Sequence, residues 1–202
     1  MFDLQKIYTY LHFLDEFRKI KRVMYATGED RMENDMEHSY QLVMLAWYLI
    51  DSYHLSFDMN RIMRYCLVHD LVEVYAGDTY IYSQDMEHLS SKVHREEQAM
   101  KQIKERFHEF PEMLSYIEQY EQKNDPEALF VYSLDKIIPV LNCYMDDGRI
   151  WKDVSLTHIA VTLDKIRENK DEKIRKSPEL YEFWLQFVEV LKANQKDLFL
   201  SK

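Results

Sequence analysis

Two adjacent side chains of metal-ligand type, His69 and Asp70, interrupt the apolar run Cys66-Leu67-Val68-His69-Asp70-Leu71-Val72-Glu73. Read as a helix over about 58–75, the stretch carries Ile62, Cys66, His69, Asp70 and Glu73 at offsets 0, 4, 7, 8 and 11, which is one face at helical spacing. Such a face turns inward. An ionised carboxylate buried there is costly unless it is paired or bound to a cation, and a divalent ion would satisfy all three groups at once. A lone His-Asp pair also has a plainer reading, a core histidine bonded to a carbonyl beside a solvated aspartate, so further ligands decide.

Two other helical patterns supply them. His38, Leu42, Leu45 and Leu49 recur at offsets 0, 4, 7 and 11, which puts an imidazole on an apolar stripe. Asp125-Pro126 reads as an N-cap with proline at the first helical position, and Asp135 falls on the inward face with Val131, Leu134, Ile138 and Leu141. The candidate set is His38, His69, Asp70 and Asp135. Two imidazoles and two carboxylates suit one divalent transition ion, Mn²⁺, Co²⁺, Fe²⁺, Ni²⁺ or Zn²⁺, better than Ca²⁺ with its all-oxygen shell. Taken singly, His38 could pack or cap, and Asp135 could pair with a lysine or arginine of another helix.

The order His, His-Asp, distant Asp resembles the HD-domain metal-dependent phosphohydrolases. Three segments are similar to their small 5′-deoxynucleotidase-like subgroup. Arg31-Met32-Glu33-Asn34-Asp35-Met36-Glu37-His38-Ser39 resembles its R-x-E-N-x-x-E-H-S segment, and His69 to Thr79 resembles its H-D-L-x-E-x-x-x-G-D-T block. Glu121, Pro126-Glu127-Ala128 and Leu134-Asp135-Lys136-Ile137 with Pro139 resemble its closing element. The resemblance runs from about Leu14 to Trp151.

That resemblance implies a metal-dependent phosphohydrolase removing the 5′-phosphate of (deoxy)nucleoside monophosphates, with His38, His69, Asp70 and Asp135 as the ligands of one ion. It places Glu73 and Asp78 at the attacking water and the leaving group, Arg22 on the substrate phosphate and Arg31 in support. Hydrolysis of a dianionic monoester needs phosphoryl charge neutralised, water activated and the departing 5′ oxygen protonated. We favour Glu73 for the water and Asp78 for the proton. The bland readings are a solvated helix end for Glu73, a Gly-Asp turn for Asp78 and a solvated basic cluster of Lys19, Lys21 and Arg22. Val23 follows Arg22 where well-characterised members of the subgroup carry tryptophan, and Gln119 stands in place of an acid in E-x-E. The alternatives are an HD-fold hydrolase acting on another small phosphate ester or nucleoside triphosphate, and a non-catalytic regulatory HD module.

Composition supplies the frame. Across 202 residues, 47% hydrophobic content with three glycines and four prolines predicts a single, almost wholly helical domain over 1–202, which the resemblance makes an all-α HD-type bundle of about eight helices. The motif core covers about 14–151, with the C-terminal helices of 154–202 packing on it or forming a dimer face. Helices are expected near 3–21, 35–54, 58–75, 90–108, 111–121, 126–146, 154–168 and 178–198, with no strand. Residues from about 80 to 91 lack helical regularity and are expected as a lid, while His94 and Glu97 read as an exposed pair.

The net charge of −10 argues against a nucleic-acid polymer as partner and leaves room for a small phosphate ester, a nucleotide above all, in a locally basic pocket. No apolar run approaches the roughly 20 residues that span a bilayer, and Met1-Phe2-Asp3-Leu4 lacks a basic leader, so a cytoplasmic protein with no membrane partner is expected. Cys66 and Cys143 read as buried thiols. A homo-oligomer, most simply a dimer, is the expected assembly.

Overall fold

The computed structural model describes residues 1–77 and 91–200, so Asp78 and nearly all of the expected lid lie outside the described residues. Among these, eight helices have ten residues or more: α1 (Leu4–Phe17), α2 (Asp35–Ser52), α3 (Met59–Val68), α5 (Lys92–Arg106), α6 (Pro111–Gln122), α7 (Pro126–Met145), α10 (Leu163–Ile174) and α11 (Pro178–Ala193). Four single-turn helices intervene: α4 (Glu73–Ala76), α8 (Arg149–Lys152), α9 (Val154–Thr157) and α12 (Gln195–Leu198). The all-α expectation holds.

Helix starts follow local chemistry. Asn34 caps α2 by accepting from Met36 N and Glu37 N, and the Glu37 carboxylate returns to Asn34 N at 3.1 Å, a reciprocal capping box that sets His38 in the first turn. Asp125 accepts from Ala128 N with Pro126 at the first helical position, which fixes the start of α7 and the phase of Asp135.

Three expectations are corrected. The first helix stops at Phe17, and the chain instead forms an antiparallel pair, β1 (Lys21–Tyr25) with β2 (Met32–Asn34). Lys21 faces Asn34 and Tyr25 faces Met32, so the register shifts within β1 in a bulge holding Arg22. The expected helix 58–75 ends at Val68, with His69 as its C-cap and a turn before α4. The expected helix 154–168 breaks after Thr157 at left-handed His158 (φ 59°), and α10 begins at the Thr162 cap.

The second break lies close to the boundary between two apolar clusters. Ile62, Tyr65 and Cys66 belong to a cluster with Leu42 and Ala46 of α2, Leu134, Ile137 and Ile138 of α7 and Trp184 of α11. Val68, Leu71, Val72 and Ala76 belong to a second cluster with Phe13 and Phe17 of α1, Ala99 and Ile103 of α5 and Ile117 of α6. Helix α3 itself reaches from the first cluster to the second, which Val68 joins, and the chain turns at His69-Asp70 just beyond. In α11, Trp184, Phe187, Val188 and Leu191 are buried in the first cluster, while Leu185 and Val190 are exposed.

Helix α7 has the length and composition to cross a bilayer, although such a run was not expected. Its window is 61% buried within the fold and it carries Asp135 and Lys136, which accounts for its apolar content as core.

Gly148 closes α7 with φ +67°, its N–H reaching Cys143 O at 2.8 Å. An added Cβ would collide with the carbonyl oxygen of Leu198. We therefore expect Gly148→Ala to cost more than the roughly 1 kcal/mol of left-handed strain alone, read as a drop in melting temperature. Gly28→Ala, at φ +77° with nothing within 4 Å of the new atom, should cost less. Equal losses would show that the Leu198 contact relaxes freely.

Candidate metal centre

His38 from α2, His69 from the turn after α3 and Asp135 from α7 converge deep in the fold, each offering one ligand atom within 4.8 Å of the others. His38 Nε2 lies 3.0 Å from Asp135 Oδ1, and the two imidazole centroids are 5.3 Å apart. His69 Nδ1 is 2.8 Å from the Cys66 carbonyl, which assigns that nitrogen its proton and leaves Nε2 as a lone-pair donor. Nε2 is buried, makes no hydrogen bond and sits 2.9 Å from Asp70 Oδ2. Two acceptors that close call for a positive charge between them, so the residues fit a cation held by two imidazoles and two carboxylates.

A second acidic group adjoins. One carboxylate oxygen each from Asp35, Asp70 and Glu73 lie within 4.8 Å of one another. Arg22, turned inward by the bulge, places Nη1 3.2 Å from Asp35 Oδ1 and 3.0 Å from Asp70 Oδ2, with Nε 3.4 Å from Glu33 Oε2. Lys136 Nζ is 2.5 Å from Asp135 Oδ2. These two cations offset carboxylates that would otherwise repel one another.

Protonation follows from the same neighbours. Burial pushes the His38 imidazole down to about 4, so it is neutral and ligand-competent near pH 7. Burial also lowers His69, but the carboxylates of Asp70 and Asp135 outweigh it and raise that imidazole. Burial opposes ionisation of Asp70, yet His69 and Arg22 hold it well below the usual carboxylate range. For Asp135 the same penalty is overcome chiefly by Lys136 and His38. Burial raises the Glu33 carboxyl to about 7 despite Arg22.

The structure thus brings together His38, His69, Asp70, Asp135, Glu73 and Arg22. It does not bring Arg31, which is exposed on the hairpin and forks onto Glu37 (2.8 Å) and Glu29 (2.7 Å). A surface partner three residues past the strand was closer than the site, and Glu37 was already committed to the α2 cap. His94 and Glu97 are exposed, as expected. Gln119 lies on α6, bonded to Arg61 (3.3 Å) and Ser115 (2.8 Å). Glu121 lines a 480 Å³ pocket with Val72, Met100, Glu96, Glu97 and Glu118. Glu33, Asp35 and Lys136 were given no role from sequence. Their one signal was position, since Glu33 and Asp35 flank the α2 cap and Lys136 follows Asp135.

A family model described as HD domain matches residues 14–180. Human 5′-deoxynucleotidase HDDC2 is 30% identical over 135 residues, 65% of this chain and 64% of that protein. The zebrafish (Danio rerio) protein of that name is 31% identical over 114 residues, 55% of this chain and 54% of that protein. The chain therefore spans just under two thirds of the length of the human relative. A crystal structure of a predicted metal-dependent phosphohydrolase from Magnetospirillum magnetotacticum is similar throughout, with TM-score 0.76, 25% identity and 94% of both chains covered.

Proposed function

Since this chain belongs to the HD domain family, we propose that it is a metal-dependent phosphohydrolase that removes the 5′-phosphate of (deoxy)nucleoside monophosphates. The carrying observation is the convergence of His38, His69 and Asp135 within 4.8 Å, with Arg22 against Asp70 alongside. The names of the HDDC2 relatives support the nucleotide substrate.

In this reading His38, His69, Asp70 and Asp135 hold one divalent transition ion, which when bound supplies Lewis acidity and positive charge at the phosphoryl group. Arg22 donates to the non-bridging phosphoryl oxygens, exchanging part of its bonding to Asp35 and Asp70 for the substrate's charge. Glu73, beside both aspartates, orients the attacking water and accepts its proton. The water oxygen bonds to phosphorus, the bond to the 5′ oxygen breaks, and that oxygen takes a proton, assigned to Asp78 on the family resemblance. We also read the chain as a cytoplasmic homodimer.

Val23, beside Arg22 in the bulge, favours a second reading with a different small phosphate ester, because an aliphatic side chain offers the sugar less stacking area than tryptophan. The test is phosphate release by metal-replenished protein across deoxy- and ribonucleoside monophosphates, triphosphates and simple phosphate esters. We expect deoxynucleoside monophosphates to lead. Activity confined to triphosphates would sink the monoesterase reading, and activity confined to simple esters would favour the second.

A further inference from the structure

Glu33 is the middle residue of β2 and keeps its side chain inside the fold, 6% exposed. Oε1 accepts from Asn142 Nδ2 at 3.3 Å. Asn142 is braced in turn by a reciprocal amide pair with Gln41, its Nδ2 donating to Gln41 Oε1 at 2.7 Å and its Oδ1 accepting from Gln41 Nε2 at 2.9 Å. The other oxygen, Oε2, faces two groups of the centre: Arg22 Nε at 3.4 Å and His38 Nδ1 at 4.0 Å. Both Glu33 Oε2 and His38 Nδ1 are buried and make no hydrogen bond.

Those two atoms are complementary. His38 turns Nε2 towards Asp135, and an imidazole that offers Nε2 as a lone pair carries its proton on Nδ1. A buried N–H without an acceptor costs about 1–3 kcal/mol. Glu33 Oε2 is the acceptor on that side, and closing 4.0 Å to bonding distance takes about 1 Å of side-chain movement. Metal-ligating histidines generally hand their other N–H to such a carboxylate, which fixes tautomer and ring orientation.

We propose that Glu33 is a positioning residue shared by both halves of the site: it accepts the Nδ1 proton of His38, and it orients the guanidinium of Arg22. Resting on the metal-phosphohydrolase reading, this predicts that one carboxylate governs two affinities, for the metal and for phosphate. Asn142 and Gln41 hold that carboxylate from behind.

The experiment titrates metal-free protein with Co²⁺, then the Co²⁺-loaded protein with inorganic phosphate, for wild type, Glu33→Gln, Glu33→Asp and Asn142→Ala. Wild type binding neither probe would overturn the functional reading itself, whatever the variants do. With wild type binding both, Glu33→Gln is expected to weaken Co²⁺ by about 10–100-fold and phosphate in parallel, and to perturb the visible spectrum of the bound Co²⁺. Glu33→Asp should restore part of both affinities. If Glu33→Gln does not fold, Asn142→Ala is expected to weaken both by a smaller factor. Unchanged affinity for either probe in a folded variant overturns the inference, as does a loss of melting temperature alone.

Discussion

Asp70→Ala is expected to lose stoichiometric binding of a divalent ion and, with it, phosphate release, whereas Glu73→Gln is expected to keep the ion and lose turnover by about 10²–10⁴-fold. The two carboxylates are neighbours, but their surroundings differ. Asp70 Oδ2 is 2.9 Å from His69 Nε2, so its removal takes a charged donor from the cation. Glu73 stands one turn further on, at the start of α4, against Asp35 and Asp70 rather than the imidazoles. Arg22 keeps Asp35 and Glu33 when Asp70 is gone, so the fold should survive. Metal content by elemental analysis, with single-substrate kinetics, separates the two outcomes. An Asp70→Ala protein that binds one equivalent at wild-type affinity would remove Asp70 from the ligand set. Full turnover by Glu73→Gln would remove Glu73 from the chemistry.

Lys170→Met is expected to raise the melting temperature near neutral pH, corresponding to on the order of 2–4 kcal/mol. Lys170 occupies the middle of the inward seam of α10, between Ile166 and Ile174, and is 5% exposed. Burial, with Lys136 and Lys173 adding repulsion, pushes its ammonium down to about 7. The unfolded chain therefore binds more protons than the folded one between about pH 7 and the ordinary lysine value near 10.4, so stability rises with pH across that window. The advantage of methionine should be largest at pH 7 and shrink towards pH 10. Melting curves of both proteins at several pH values check this, and a gap independent of pH would show that the amine is not buried in the way described.

The two helix-borne candidates were legible because each rests on a local rule. Asp125-Pro126 fixes the phase of α7 and the Asn34–Glu37 box fixes that of α2, so periodicity placed His38 and Asp135 on inward faces correctly. His69-Asp70 reads in the sequence as part of one helix to Tyr75, whereas α3 ends at Val68 and the pair lies in the turn before α4. No local signature in the sequence marks that break. The β1–β2 pair was missed for a similar reason, since three residues of β2 show no alternation and its pairing depends on a bulge. Arg22 could be proposed only by resemblance, because the same bulge turns it inward. Glu33 and Asn142 were not legible as a pair, since they meet across 109 positions of the chain, and Lys170 reads as one more charged position of a polar helix.

The turn at His69-Asp70 lies on the joint between two bodies of apolar packing. His38 and Asp135 ride on helices of the first, and the residues immediately after Asp70 enter the second. Left to side-chain packing alone, two such bodies open at separate free energies. An ion held from both sides of the joint would add RT ln(1 + [L]/Kd), about 2.7 kcal/mol at a hundredfold excess over Kd, and only while the joint is closed. Loading the centre is therefore expected to couple the two bodies in melting, so that the availability of the ion would bear on the cooperativity of the chain.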